Sequence, residues 1–438
     1  MTDIIFSFDT EDFTSSVAAD AICREADILK EEGVKGGFCL VGLLADQLKN
    51  WGRDDVVKSL EHHEIGSHSY GHTLHPTINE YTDLEDFDEA YAEFMRQETE
   101  GVRMIEAIMP NRKLLYACPP ANQKSYVAMY GYSDMGIPIY ADTFCDTEDG
   151  RGVFYCNIYQ IKYTYPIDKL LEKNSDEDFQ NILDFLATKK RAILYAHPNM
   201  AKFTEPWDLI NYRKKNLYEF GEWRECPRRT KEETEQFYAD IRKLVRLIKG
   251  DNRFNITTYS EVAKLVEQEC ERKITVSDIS GLKNNISNNF FPVTEPVSLC
   301  ISDMFLACKD FLLGKKEHIC GKVYGFLDTP YAVENDITLK ANDIIKSASS
   351  IDTERFLPTS VDVAGVKIGP ADWLRAAMAV ICGEKTVTVH PDTQLPCLDV
   401  LPDLTDDCLK GWQQSDDYKD EYLCKRLKLQ SWTMRFMK

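Results

Sequence analysis

The sequence predicts an α/β fold over residues 1–270, a linker at 271–295, and a smaller, mainly helical domain over 296–438. Three observations carry this reading. Short β-rich apolar runs alternate with amphipathic helical stretches from the first residues onward. Several of those runs end in polar, chemistry-bearing side chains. An interval rich in Asn, Ser and Pro, Ser277 to Pro296, then breaks the pattern. Strand, helix, strand, helix with reactive groups at strand ends is the grammar of an α/β barrel or a doubly wound sheet. At 438 residues the chain is also too long for one ordinary core.

Taken in order, Ile4 to Phe8 reads as a buried strand that runs into the acidic group Asp9-Thr10-Glu11-Asp12. Ala19, Ile22, Ala26 and Leu29 recur at helical intervals over Ser16 to Glu32, and Gly33 stops that helix. Val34 to Gly42 reads as a second strand and Leu44 to His62 as a second helix. A long acidic helix is predicted over Asp83 to Ile108, a segment follows at Leu114 to Pro120, and further strands at Ile137 to Phe144 and Ala192 to His197. Pro198 to Lys231 is aromatic, basic and aperiodic, and reads as a long loop near the site. A helix over Glu232 to Ile248, a strand over Phe254 to Thr258 and a helix over Glu261 to Glu269 close the first domain. In the C-terminal part, the segments from Ile301 and from Ile368 each open an amphipathic helix, and Gly314 and Gly383 close them. The pattern predicts two repeats.

Fifty-two basic against seventy-two acidic residues leave a net charge of −20, which argues against nucleic acid and anionic membranes as partners. The opening stretch Met1 to Asp9 carries no basic, apolar leader, and no apolar run is long enough to span a bilayer. Fourteen cysteines include no CxxC pair. The expectation is a cytoplasmic protein with reduced thiols.

The chemistry centres on Glu64-Ile65-Gly66-Ser67-His68-Ser69-Tyr70-Gly71-His72, which sets two imidazoles four positions apart. On a helical turn that spacing puts both on one face, within reach of one ion. Imidazole suits zinc and other first-row metals, but two histidines are half a site, so a carboxylate from elsewhere is required. Asp9, Glu11 and Asp12 offer it. On a strand, positions 9 and 11 face the same way, so one can ligate while the other acts as a base. An acidic turn or a helix N-cap reads the same residues equally well. His197, ending the apolar run from Ala192, is placed to donate a proton to a leaving group.

Phe8-Asp9-Thr10-Glu11-Asp12, His68-Ser69-Tyr70-Gly71-His72 and Ile193-Leu194-Tyr195-Ala196-His197-Pro198 together resemble three ordered motifs of the polysaccharide deacetylases, the NodB-homology group or carbohydrate esterase family four. Glu31 to Phe38 resembles the segment before that family's second strand, and Phe254 to Glu261 its closing strand. The resemblance covers roughly Met1 to Glu269. It implies a distorted (β/α) barrel of seven or so strands. It also implies hydrolytic removal of an acetyl group from an N- or O-acetylated sugar or glycan through a metal-activated water. The implied ion is Zn2+, with Co2+ or Ni2+ as alternatives. By the same resemblance Asp9 is the general base, His68 and His72 hold the metal, His197 protonates the leaving group, and Asp142 orients His197.

Two departures from the family pattern matter. Its adjacent aspartates are spread here over Asp9-Thr10-Glu11-Asp12: strand alternation makes Glu11 the metal carboxylate, while a turn from residue 10 makes it Asp12. The family's arginine-proline motif falls on Tyr116-Ala117-Cys118-Pro119-Pro120, which has no arginine to partner the base. Either another basic residue fills in, such as one from Arg224 to Lys231, or the chemistry differs from standard sugar deacetylation. The alternatives are an amide or ureide hydrolase on a small non-sugar substrate and an inactive glycan-binding barrel. Leu357 to Ile368 with Ala371-Asp372-Trp373-Leu374 resembles the pseudomurein-binding type of repeat, which implies attachment to a cell-wall-like glycan.

Overall fold

Strand β1, Thr2–Thr10, is buried at every position but Asp3, because it lies between neighbours on both sides. In the computed structural model, which describes residues 1–437 except 122, 144, 146, 270, 289 and 402–408, the chain forms two units. The first comprises Met1–Gly152, Gln160–Lys264 and Asp406–Leu423, and the second comprises Val153–Tyr159, Leu265–Thr405 and Cys424–Lys438.

In the first unit β1 is flanked by Arg191–Ala196 (Phe8 beside Ala196) and by β2, Gly37–Leu40 (Asp9 beside Cys39). The order continues through β3, Glu64–Ser67, β4, Tyr116–Ala117, and β5, Ile139–Ala141; Tyr165–Pro166 lies beyond Arg191–Ala196. Phe254–Ile256 pairs with the first residues of β1. All these pairings are parallel. Parallel neighbours cannot be joined by tight turns, so the intervening chain crosses over as helices such as Ser16–Glu31 and Phe87–Ile108. Ser15 caps the first of these through Val17 N–H, and Gly33 ends it at φ 71°.

The sheet curls. Residues that follow β4 and β5 on one side of β1, Cys118 and Asp142, line the same cavity as Asp168 and His197 on its other side. Among the described residues the curl stays open. Its interior is filled by aromatic rings: Tyr116 and Tyr259 stack with centroids 3.8 Å apart. A Cβ on Gly37 would come within 2.5 Å of the Tyr259 ring, and one on Gly66 within 2.7 Å of Tyr116. The glycines of β2 and β3 therefore make room for the core.

Several boundaries move from their sequence-based positions. The second strand is only Gly37–Leu40, since a helix already starts at Gly42. The helix predicted over 44–62 is two, Gly42–Asn50 and Asp54–Leu60, broken where Gly52 takes φ 66°. The acidic helix begins at Phe87, capped by Asp86. The strand predicted over 137–144 spans Ile139–Ala141, and its predicted end at Phe144 lies outside the described residues. Within the 198–231 stretch the chain forms a short helix, Trp207–Asn211.

In the second unit the stretch expected as a linker folds instead as a strand, Arg272–Thr275, and a helix, Val276–Asn288. Short-range composition missed this because its buried apolar residues, such as Ile274, Ile279, Leu282 and Ile286, are scattered through a polar stretch. The strand pairs antiparallel with Glu317–Cys320, which follows helix Ile301–Leu312 and a turn at Gly314. The same plan recurs: Ile337–Lys340 leads into helix Ala341–Ser347 and pairs with Thr386–Val389, which follows helix Pro370–Ile381 and Gly383. Asp303 and Asp372 hold the same cap position in the two later helices. The unit is thus less purely helical than expected. Phe305, Trp373, Phe326 and Trp432 form its aromatic centre, with Phe305 and Trp373 at 4.8 Å.

Candidate active site

The last residues of β1 deliver Asp9 to the cavity, and Glu11 follows one step beyond the strand. His68 comes directly after β3. The histidine spacing is not helical: Ser69 at φ 69° and His72 at φ 55° form a left-handed turn, stabilised by His72 N–H donating to Ser69 Oγ at 3.0 Å. That turn brings the two rings to 4.9 Å. The convergence the spacing predicted is thus made by a different backbone.

Glu11 Oε2 lies 2.8 Å from His72 Nε2 and 3.5 Å from His68 Nε2, and all three side chains are buried. Their ligand atoms lie within 4.8 Å of one another. Each is oriented from behind. His68 Nδ1 donates to the Cys118 carbonyl, and His72 Nδ1 faces Thr73 Oγ1 at 3.2 Å and Asp208 Oδ2 at 3.6 Å, which leaves both Nε2 atoms to the cavity. Trp207 Nε1–H donates to Glu11 Oε1 at 3.1 Å and leaves Oε2 free to ligate. Two imidazoles and a carboxylate, aimed by second partners at a point open to a cavity, fit a divalent ion such as zinc. Burial works against the Glu11 charge, but the two imidazoles hold its carboxyl well below the usual range.

Asp12 does not join this group. Its Oδ1 accepts from Thr14 N–H at 2.9 Å and Thr14 Oγ1–H at 2.6 Å, closing the turn before the first helix. Burial, opposed by those bonds, pushes its carboxyl up to about 7.

Across the cavity, His197 Nε2 lies 3.8 Å from Asp9 Oδ2. Its Nδ1 is paired with Asp168 at 2.7 Å, not with Asp142. Asp142, expected to orient His197, instead pairs with Lys124 Nζ at 3.1 Å, although it also lines the cavity. The reason is positional. The chain after Tyr165–Pro166 runs beside the end of Arg191–Ala196, so Asp168 also accepts the His197 backbone N–H at 3.3 Å. Burial alone would lower the His197 pKa, but Asp168 raises it to about 10.

No arginine reaches Asp9 among the described residues. Arg228 pairs with Glu225, Arg229 bonds the Met200 carbonyl, and Arg224 stacks on Tyr218. The place of a partner is taken by Tyr163, whose hydroxyl donates to Asp9 Oδ1 at 2.7 Å. Burial nonetheless leaves the Asp9 carboxyl above its usual range, against the pull of His68, His197 and that hydroxyl. A neutral phenol thus stands where the motif led us to expect a cation.

Sequence reasoning missed Asp168, Tyr163, Trp207 and Asp208. Only the last two carried a usable signal, since they fall in the aperiodic stretch read as a loop near the site. The cavity holding all these groups has a volume of about 580 Å³.

No family model and no curated protein matches the chain. Among solved structures it is similar to a CE4 family pseudoenzyme from Bacillus anthracis, at 18% identity over 60% of this chain and 65% of that one, TM-score 0.35. It is also similar to a family 4 carbohydrate esterase from Streptomyces lividans in complex with acetate, at 11% identity over 58% and 91%, TM-score 0.33. A third likeness is to 4-alpha-glucanotransferase from Thermococcus litoralis, at 11% identity over 60% and 40%, TM-score 0.39.

Proposed function

We propose that the first unit is a metal-dependent hydrolase that removes the acetyl group from an N- or O-acetylated sugar or glycan, with zinc as its ion. The observation that supports this most is one cavity with two facing sets: Glu11, His68 and His72 on one side, Asp9 and the Asp168-backed His197 on the other. A divalent ion bound by the first set supplies Lewis-acid polarisation of a carbonyl and acidity to water. Asp9 takes the proton of the attacking water; a carboxyl held above its usual range is a better base near neutral pH. His197 holds its proton on Nε2, because Asp168 occupies Nδ1, and delivers it to the departing amine or alcohol. Asp12 and Asp142 have no part in these steps. The acetyl group as leaving acyl group is supported by the ordered motifs that resemble the polysaccharide deacetylases. Among the described residues no helix is long and apolar enough to cross a membrane, and the cysteines carry thiols rather than disulfides. The thiols favour a cytoplasmic setting.

The test is metal content by elemental analysis together with acetate release from N-acetylated chito-oligosaccharides and O-acetylated xylo-oligosaccharides. About one ion per chain, lost in His68→Ala together with acetate release, is the expected result. A wild-type chain that stays metal-free when offered zinc, cobalt or nickel defeats the reading.

A further inference from the structure

The cavity has a wall that does not come from the strand ends. Residues 409–423, far along the chain, fold back as part of the first unit. They are fastened to it at separate points: Asn79 Nδ2–H donates to the Leu409 carbonyl at 3.2 Å, Lys214 Nζ pairs with Asp416 at 2.5 Å, and Asp83 accepts the backbone N–H groups of Glu421 and Tyr422 at 2.7 and 2.8 Å. Leu409, Gln413 and Gln414 are buried, while Trp412 between them is 39% exposed and lines the cavity. Trp412 thus adds exposed aromatic surface to the cavity wall.

Exposure gives the cavity a direction. Asp9, His68 and His72 are 5%, 2% and 6% exposed, so the reacting groups lie at the deep end and Trp412 at the solvent end. Pro119, Pro120 and Leu209 share the lining and offer mostly apolar surface. Asp142, its carboxylate neutralised in part by Lys124 at 3.1 Å and its side chain 38% exposed, is a hydrogen-bond acceptor in the same lining. The lining carries five carboxyl groups, Asp9, Glu11, Asp142, Asp168 and Asp208, against three imidazoles, His68, His72 and His197.

We infer that Trp412 is the platform of a subsite for a neutral pyranose ring, held by stacking of its C–H face on the indole while the acetyl group reaches the deep end. A ring with one apolar face and hydroxyls at its rim matches an aromatic surface beside a carboxylate acceptor. The carboxylates disfavour anionic sugars. The inference rests on the sugar-directed reading above and adds which residue recognises the ring.

The experiment is calorimetric titration of the full-length, metal-loaded chain with tetra-N-acetylchitotetraose and with N-acetylneuraminic acid, for the wild type, Trp412→Ala and Trp412→Phe. Melting temperature and metal content check each variant's fold. The expected result is binding of the neutral oligomer in preference to the anionic sugar, about tenfold or more weaker in Trp412→Ala and largely restored in Trp412→Phe. Equal binding by wild type and Trp412→Ala, no binding of the oligomer by wild type, or equal binding of the anionic sugar overturns it. If Trp412→Ala fails to fold, Trp412→Leu, apolar but without a ring, replaces it, and wild-type-like binding by that variant overturns the inference. The titration reads binding, and acetate release from the same oligomer, measured separately, reads turnover, so the two readings separate. Trp412-dependent binding without acetate release removes the hydrolase and keeps the subsite, whereas acetate release with Trp412-independent binding does the reverse.

Discussion

His197 Nδ1 and Asp168 Oδ2 stand 2.7 Å apart, with the His197 backbone N–H turned to the same carboxylate. This pair fixes the ring's tautomer and keeps Nε2 protonated up to about pH 10. In its proposed role as general acid His197 must hold that proton, so activity is expected to fall as pH rises through that value. In Asp168→Asn the raising partner is gone, and the alkaline limb of the rate profile moves down toward the ordinary histidine value. Turnover falls by roughly 10- to 100-fold. Asp142→Asn leaves the alkaline limb in place, because Asp142 pairs with Lys124. A pH–rate series on the two variants checks both outcomes.

The neighbouring acids Glu11 and Asp12 make a sharper comparison. Glu11 faces both imidazoles while Asp12 closes a turn on Thr14. Glu11→Gln is expected to lower metal occupancy by at least about tenfold, whereas Asp12→Asn retains the ion. Elemental analysis after dialysis distinguishes them, and loss of metal in Asp12→Asn alone would reverse the assignment.

Tyr163→Phe removes the 2.7 Å bond to Asp9 and little volume. Metal content should be unchanged, while turnover falls by about tenfold as Asp9 loses its one hydroxyl partner. A variant with wild-type turnover would show that the phenol does not position the base.

Away from the cavity, His63 ties folding to pH. Gly36 N–H donates to its Nδ1 at 3.1 Å and its Nε2–H donates to the Ala26 carbonyl at 2.9 Å, so only the neutral ring satisfies both. Burial, partly offset by the Ala26 bond, lowers its pKa to about 4. With the folded value below the unfolded one, the unfolded chain binds more protons between them. Stability is therefore intact above about pH 6.5 and declines as pH falls toward 4, by about 3 kcal/mol. Denaturant unfolding at pH 7.5 and 4.5 measures this, and in His63→Gln the decline should shrink.

Much of the site was legible because it is local. Asp9 and Glu11 end a strand whose apolar run is unmistakable, and His68 and His72 sit four residues apart in one motif. The backbone that joins the histidines was misread, since a four-residue spacing suits a helix and a left-handed turn alike. Asp168 was invisible: it is one acid among seventy-two, after a strand of two residues. The linker was misjudged for a related reason, because a few buried isoleucines in a polar stretch leave no clear period.

By itself the sequence determined the strand–helix alternation of an α/β fold, and it pointed to two histidines with a carboxylate from Glu11 or Asp12 and to like helices opening at Ile301 and Ile368, readings that rest on periodicity and spacing within short windows. Only the tertiary structure decided which carboxylate backs His197, that a phenol and not an arginine meets Asp9, and that Trp412 returns to the cavity. Asp168 lies 29 positions from the histidine it pairs with, and Trp412 lies 340 positions from His72, with which it shares the cavity lining. Contacts of that range are set by the curl of the sheet and the path of the chain across it, which no local pattern encodes.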